Sequence, residues 1–137
     1  MANIFTDTEI DGVLSVSEQN STTFTIATSS NVASSTNGKI KYVRIGGIVL
    51  FAFAIDVTPS AANTNTHFRF NPPVSSAFTD SRHAFGTVTA EDATASPRAY
   101  LAGGCIGFAS GDQIEIRFTP DSVNTWIVRG SGMYTVL

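Results

Sequence analysis

Two histidines, His67 and His83, one cysteine, Cys105, and eleven carboxylates carry most of the side-chain chemistry this 137-residue chain offers. A nucleophile needs a base within hydrogen-bond reach, and the base needs a group that orients it. His67 sits in an alternating stretch beside Arg69, and His83 follows Arg82 in a polar segment, so neither belongs to a catalytic pattern. Zinc would need three or four clustered ligands, which one cysteine and two scattered histidines do not supply. Glu91-Asp92 is the only adjacent acidic pair after residue 38, and neighbouring strand residues point to opposite faces. A glycoside hydrolase needs two carboxylates facing one groove. We therefore expect no catalytic centre and no cofactor.

The weak exception is calcium. Asp7, Glu9, Asp11, Gly12 and Glu18 match the first, third, fifth, sixth and twelfth positions of an EF-hand-like loop. The flanks lack helical character, so the plainer expectation is an acidic arm with a turn at Asp11-Gly12. Gly103, Gly104 and Gly107 are not followed by a lysine or a helix, which excludes a phosphate cradle and suggests a turn or bulge. Trp126, Tyr42, Tyr100 and Tyr134 have the chemistry of a sugar-stacking platform, but in a β-rich chain such aromatics are usually core.

The elements that would position these groups are strands. Ile48 to Val57 is the strongest: Val49, Phe51, Phe53, Ile55 and Val57 alternate with Ile48, Leu50, Ala52 and Ala54, so both faces are apolar. Both faces must then be covered. Phe51 and Phe53 are assigned to the core, with Ile114, Ile116, Phe118 and Trp126. Ile48, Leu50, Ala52 and Ala54 are assigned to a contact between subunits. Gly46-Gly47 turns the chain into this strand, and Pro72-Pro73 ends the strand carrying Phe68 and Phe70. Further candidates are 84–90, 98–102, 105–108, 113–119, 125–129 and 133–136. Short strands separated by Gly, Pro and Asn predict an all-β fold, a sandwich, jelly roll or barrel, of which we expect a single β-sandwich or jelly-roll-like domain. The polar stretch 1–38, ending in Asn37-Gly38, reads as an extended N-terminal arm with short strands, and 39–137 as the β-sandwich domain.

Only 14% of residues are charged, and the net charge is −3. Without a basic field, nucleic acid is not an expected partner. The N-terminal residues carry Asp7, Glu9 and Asp11 where a signal peptide needs an apolar run, and the apolar stretch 45–55 is far shorter than a membrane span. A lone cysteine makes no internal disulfide.

Three segments carry a family likeness. Tyr42-Val43-Arg44-Ile45-Gly46-Gly47 leads into the long apolar strand; Phe68-Arg69-Phe70-Asn71-Pro72 follows; Trp126-Ile127-Val128-Arg129-Gly130-Ser131-Gly132-Met133-Tyr134 reads as a Trp strand, a Gly-Ser-Gly turn and a final Tyr strand. Over residues 40 to 137 this resembles the small β-sandwich domains of bacteriophage head and tail fibre proteins. A lone domain behind an arm resembles a capsid decoration (cement) protein. The resemblance implies a homotrimer on the virion surface, assembled in the host cytoplasm, that binds and stabilises a shell of major capsid protein. Ile4, Phe5, Ile10, Val13 and Leu14 would anchor the arm on the capsid. The alternative it implies is the receptor- or glycan-binding tip of a head or tail fibre.

Overall fold

The computed structural model describes residues 16–137, with side chains from residue 21 onward. Nine strands are described: β1 Val16–Thr23, β2 Thr28–Ser30, β3 Val32–Ile45, β4 Ile48–Pro59, β5 Thr66–Phe70, β6 Ala84–Asp92, β7 Tyr100–Phe108, β8 Gln113–Phe118 and β9 Trp126–Thr135. The only helical pieces among the described residues are single 3-10 turns, at Ser81–His83 and Ala109–Gly111. The fold is all-β, as the strand signals imply.

All pairings are antiparallel, in the order β1-β3-β4-β9-β6-β7-β8-β5-β2. The described residues form one continuous hydrogen-bonded sheet, curled around its own core. Residues 24–27 bridge the seam. Phe24 N donates to the Gly38 carbonyl of β3, and Ala27 N donates to the Arg69 carbonyl of β5. The Phe24 ring lies 4.5 Å from Phe70 and 6.2 Å from Phe53, so one side chain ties both ends of the sheet to the core.

The inner face holds Phe51, Phe53, Ile114, Ile116, Phe118 and Trp126, all buried, together with Ile40, Tyr42, Val49, Phe68 and Tyr134. Loops cap both ends of the curl. At one, the Tyr134 hydroxyl donates to the Val74 carbonyl (2.8 Å) and accepts from Val74 N (2.9 Å), while Phe78 packs edge-on against the ring. At the other, the buried Asp92 carboxylate accepts from Thr94 N, Ala95 N, Ser122 Oγ and Asn124 Nδ2 at 2.9–3.1 Å, pinning two loops beside Trp126. Burial pushes the Asp92 pKa up, but these donors outweigh it and hold the carboxyl well below its ordinary range.

Three readings of local chain differ from the structure. Gly130-Ser131-Gly132 is no turn: β9 runs straight through it, and Gly130 and Gly132 pair with Phe53 and Phe51 of β4. A Cβ on Gly130 would sit 2.5 Å from Phe53 Cε1 and one on Gly132 2.9 Å from Phe51 Cζ, so each glycine makes room for a ring. Gly103, Gly104 and Gly107 likewise lie inside β7, where a Cβ on Gly103 would meet the Arg117 carbonyl. Finally, Asn37-Gly38 does not separate an arm from a domain. It is a bulge within β3, with Asn37 at φ +60° and its Nδ2 donating to Asp56 Oδ2 at 2.7 Å. Residues 16–38 therefore supply β1, β2 and the first half of β3 to the same sheet.

Candidate interaction surface

Alternation along each strand sends one set of side chains to the core and the other to the outer face. On the outer face, the strand registers align one apolar residue from each of five adjacent strands. Val43 pairs with Leu50, Leu50 with Met133, Met133 with Phe85 and Phe85 with Ile106, from β3 through β4, β9 and β6 to β7. Ile48 flanks this row. Phe85 is 56% exposed, Leu50 45% and Ile48 41%. Single exposed apolar residues are ordinary; a contiguous row is the pattern of a contact surface. The next row is smoother: Ala52, Ser131, Thr87 and Gly104 lie side by side. A shallow cleft of about 440 Å³ between the two rows is lined by Leu50, Phe85, Thr87, Ser131 and Met133.

The residues expected at a subunit contact thus lie on this face: Ile48, Leu50 and Ala52 are exposed and Ala54 is half-buried. Sequence alone does not mark Val43, Met133, Phe85 and Ile106 as parts of one contact surface. Their signal is present only as one-residue alternation, such as Phe85 against Ala84 and Val88, and the register that aligns them is a tertiary property.

Charge on the outer face is organised around two buried carboxylates. Glu115 of β8 is fully buried and held by Arg69 Nε at 2.5 Å and by Arg117. Arg69 also lies over the Phe108 ring, 3.4 Å from its centroid. Burial pushes Glu115 up, but the two guanidiniums outweigh it and lower its pKa. Glu91 of β6 is clasped by Arg129 Nη1 at 2.5 Å and by Arg98; hydrogen bonds from Arg129, then Arg98, lower its pKa. Lys39 and Lys41 project from β3 on the same face, exposed and without an ion pair among the described residues.

These groups are poorly suited to proton transfer. Glu91 and Asp92 point to opposite sides of β6; Glu91 accepts from two arginines and Asp92 from backbone, hydroxyl and amide donors, which favours the anion at both. His83 Nδ1 accepts from Thr79 N at 3.3 Å in the 3-10 turn, and His67 is half-buried on β5. Trp126, Tyr42 and Tyr134 are buried, so they build no sugar platform with the exposed Tyr100. No group of three metal-ligating side chains occurs among the described residues. The calcium pattern Asp7, Glu9, Asp11 and Glu18, and the arm anchors Ile4, Phe5, Ile10, Val13 and Leu14, lie outside the described side chains. The Cys105 thiol is buried against β8, and burial pushes its pKa up to about 12. Compared with protein-family models, curated proteins and solved structures, the chain has no match.

Proposed function

We propose that the protein is a non-catalytic structural component that works by self-assembly, a homotrimeric capsid decoration protein on the surface of a bacteriophage virion. One observation carries the assembly half of this reading: the apolar row Val43, Leu50, Met133, Phe85 and Ile106 on a sheet face that no other part of the described chain covers. Burial of such a row is favourable by about 25 cal/mol per Å² of apolar area, and closed symmetry hides it without leaving a further copy to recruit. The virion half rests on the likeness to phage head and fibre domains in the Tyr42, Phe68 and Trp126 segments. Support for a structural role comes from the carboxylates, which are held as fixed anions by arginine and amide donors.

The reading is tested in two measurements. Sedimentation equilibrium of the full chain should give a trimer at micromolar concentration, and Phe85→Ser/Leu50→Ser should shift it to a folded monomer. Quantitative mass spectrometry of purified particles should find hundreds of copies per virion. A stable monomer removes the assembly half; a few copies per particle removes decoration and favours a fibre or tail tip.

A further inference from the structure

Six glycines inside the described strands are explained by the chain's own packing. A Cβ on Gly38, Gly86, Gly103, Gly107, Gly130 or Gly132 would meet a neighbouring atom at 3.2 Å or closer. Gly104 of β7 is the exception. Nothing lies within 4 Å of its Cβ position, and its φ is not left-handed. Glycine inside a strand loosens the chain and gives up cross-strand packing, so it marks a place where something approaches closely. Inside the molecule nothing approaches Gly104. What glycine leaves at this position is room on the outer face.

That room is the floor of a cleft of about 540 Å³, lined by Asn65, Ala102, Gly104, Arg117 and Thr119 among others. The volume is that of a small-ligand site. Gly104 pairs with Arg117 of β8 on one side and Thr87 of β6 on the other. Thr66 pairs with Phe118, and Asn63 N donates to the Pro120 carbonyl at 2.7 Å, which sets Asn65 and Thr119 side by side. Both are exposed, and neither side chain has a hydrogen-bond partner among the described residues. Arg117 gives Nε and Nη2 to the buried Glu115 carboxylate, and its Nη1 has no partner among the described residues. Arg69 takes the other Glu115 oxygen. Two guanidiniums thus share one carboxylate, and the cluster keeps one positive charge. That matches a single carboxylate better than a phosphate dianion.

The backbones of β6, β7 and β8 are hydrogen-bonded to one another, so no strand edge is open here to a peptide. Recognition must come from side chains: a guanidinium edge, an amide and a hydroxyl. A compact ligand with one carboxylate and several hydroxyls satisfies all three.

We propose that this cleft binds a carboxylate-bearing sugar unit of the uronic-acid class. Its carboxylate sits on the open edge of Arg117, its ring lies over Gly104, and its hydroxyls reach Asn65 and Thr119. A side chain at 104 would stand where the ring lies, which accounts for the glycine. Every group belongs to one chain, so the inference does not rest on the trimer or virion reading.

The test is a titration of the full-length, isotope-labelled chain with sodium glucuronate, followed by amide chemical shifts. Saturable shifts should appear at Asn65, Gly104, Arg117 and Thr119, with a Kd on the order of 1 mM for so small a ligand. Glucose lacks the carboxylate and sodium acetate lacks the hydroxyls; each should bind about tenfold more weakly or worse. Gly104→Val fills the floor with a residue suited to strands, so it should keep or raise the thermal midpoint while weakening glucuronate about tenfold or more. If valine disturbs the fold, Gly104→Ala carries the same test with a loss of roughly twofold to fivefold. Absence of shifts around the cleft at about 20 mM glucuronate overturns the site. Equal affinity for acetate overturns the sugar assignment, and equal affinity for glucose overturns the role of Arg117. A folded Gly104 variant that binds glucuronate as the parent does overturns the reading of the glycine.

Discussion

Gly130→Ala tests whether the β9 glycines are structural seats for aromatic rings. The new Cβ would lie 2.5 and 2.7 Å from Phe53 Cε1 and Cζ and 2.8 Å from the Thr87 carbonyl oxygen, all well inside van der Waals contact. The backbone oxygen is fixed by the β6–β9 pairing, so the Phe53 ring must move. It cannot move freely, because Phe70 and Phe24 stand 5.4 and 6.2 Å from it, and Phe51 stacks beside it at 6.4 Å. Overpacking of this kind costs about 1–3 kcal/mol. Alanine's advantage over glycine in a strand returns about 0.5 kcal/mol, leaving a net loss of roughly 1–2 kcal/mol. For a domain of this size that lowers Tm by about 3–8 °C. Gly104→Ala is the control: nothing lies within 4 Å of its Cβ, so it should be neutral or slightly stabilising. Urea unfolding followed through the buried Trp126 measures both. In the Gly130→Ala background, Phe53→Leu should cost less than it does alone, since the smaller side chain relieves the clash. Equal stability of Gly130→Ala and Gly104→Ala would refute the reasoning.

Three further outcomes follow from the geometry. Glu91, Asp92 and Glu115 have folded-state pKa values held below their ordinary values, so each contributes stability that is complete above about pH 5 and is lost as pH falls through the carboxylate range; Tm measured from pH 7 to pH 3 should drop steadily below about pH 5, and a flat profile would contradict the ion-pair assignments. Asn31 holds φ +58° while its Nδ2 donates to Ala61 O and Thr66 Oγ1 and its Oδ1 accepts from Ala61 N, so Asn31→Ala should cost about 2–3 kcal/mol and Asn31→Gly about 1 kcal/mol less, read by chemical denaturation. Cys105 should resist a thiol-specific reagent in the native state and react at the rate of unfolding, because it is buried and its thiol is pushed up to about 12; rapid native labelling would place it wrongly.

How far the sequence carried differs from element to element, for physical reasons. Alternation in Ile48–Pro59 and Gln113–Phe118 is local, and it points Phe51, Phe53, Ile114 and Ile116 to the inside where the structure has them. The Gly46-Gly47 turn is equally local, since Gly46 sits at φ +57° between paired Ile45 and Ile48. Glycine inside a strand misleads, because its usual meaning is a turn. In β9 and β7 its role is close approach to a ring or carbonyl on a neighbouring strand, and that neighbour is unknown until the sheet order is known. The bulge at Asn37-Gly38 fails in the same way: an Asn-Gly step and a change of composition mark a boundary in one dimension, while β3 continues through it in three. The closing of the curl belongs to this class too, since Phe24 closes it against Phe53 and Phe70, residues far from it in sequence.

The outer face shows what a sequence holds and what only register adds. That Ile48 to Val57 is apolar on both sides is visible in one strand, and it implies that something covers the second side. Which residues accompany Leu50 there depends on four separate pairings, each able to slip by one residue and turn a side chain to the other face. The structure puts Phe85 and Met133 beside Leu50 instead of scattering them. The same registers seat Arg69 and Arg117 around Glu115, and Arg129 beside Glu91, so the placing of charge on this face is a product of the same alignment that builds the apolar row. Apolar attraction alone would leave a partner free to slide along that row. Lys41, one row away, and the Arg69–Glu115–Arg117 cluster beyond Ile106 place charge along one flank and at one end of it, which gives a partner direction as well as affinity.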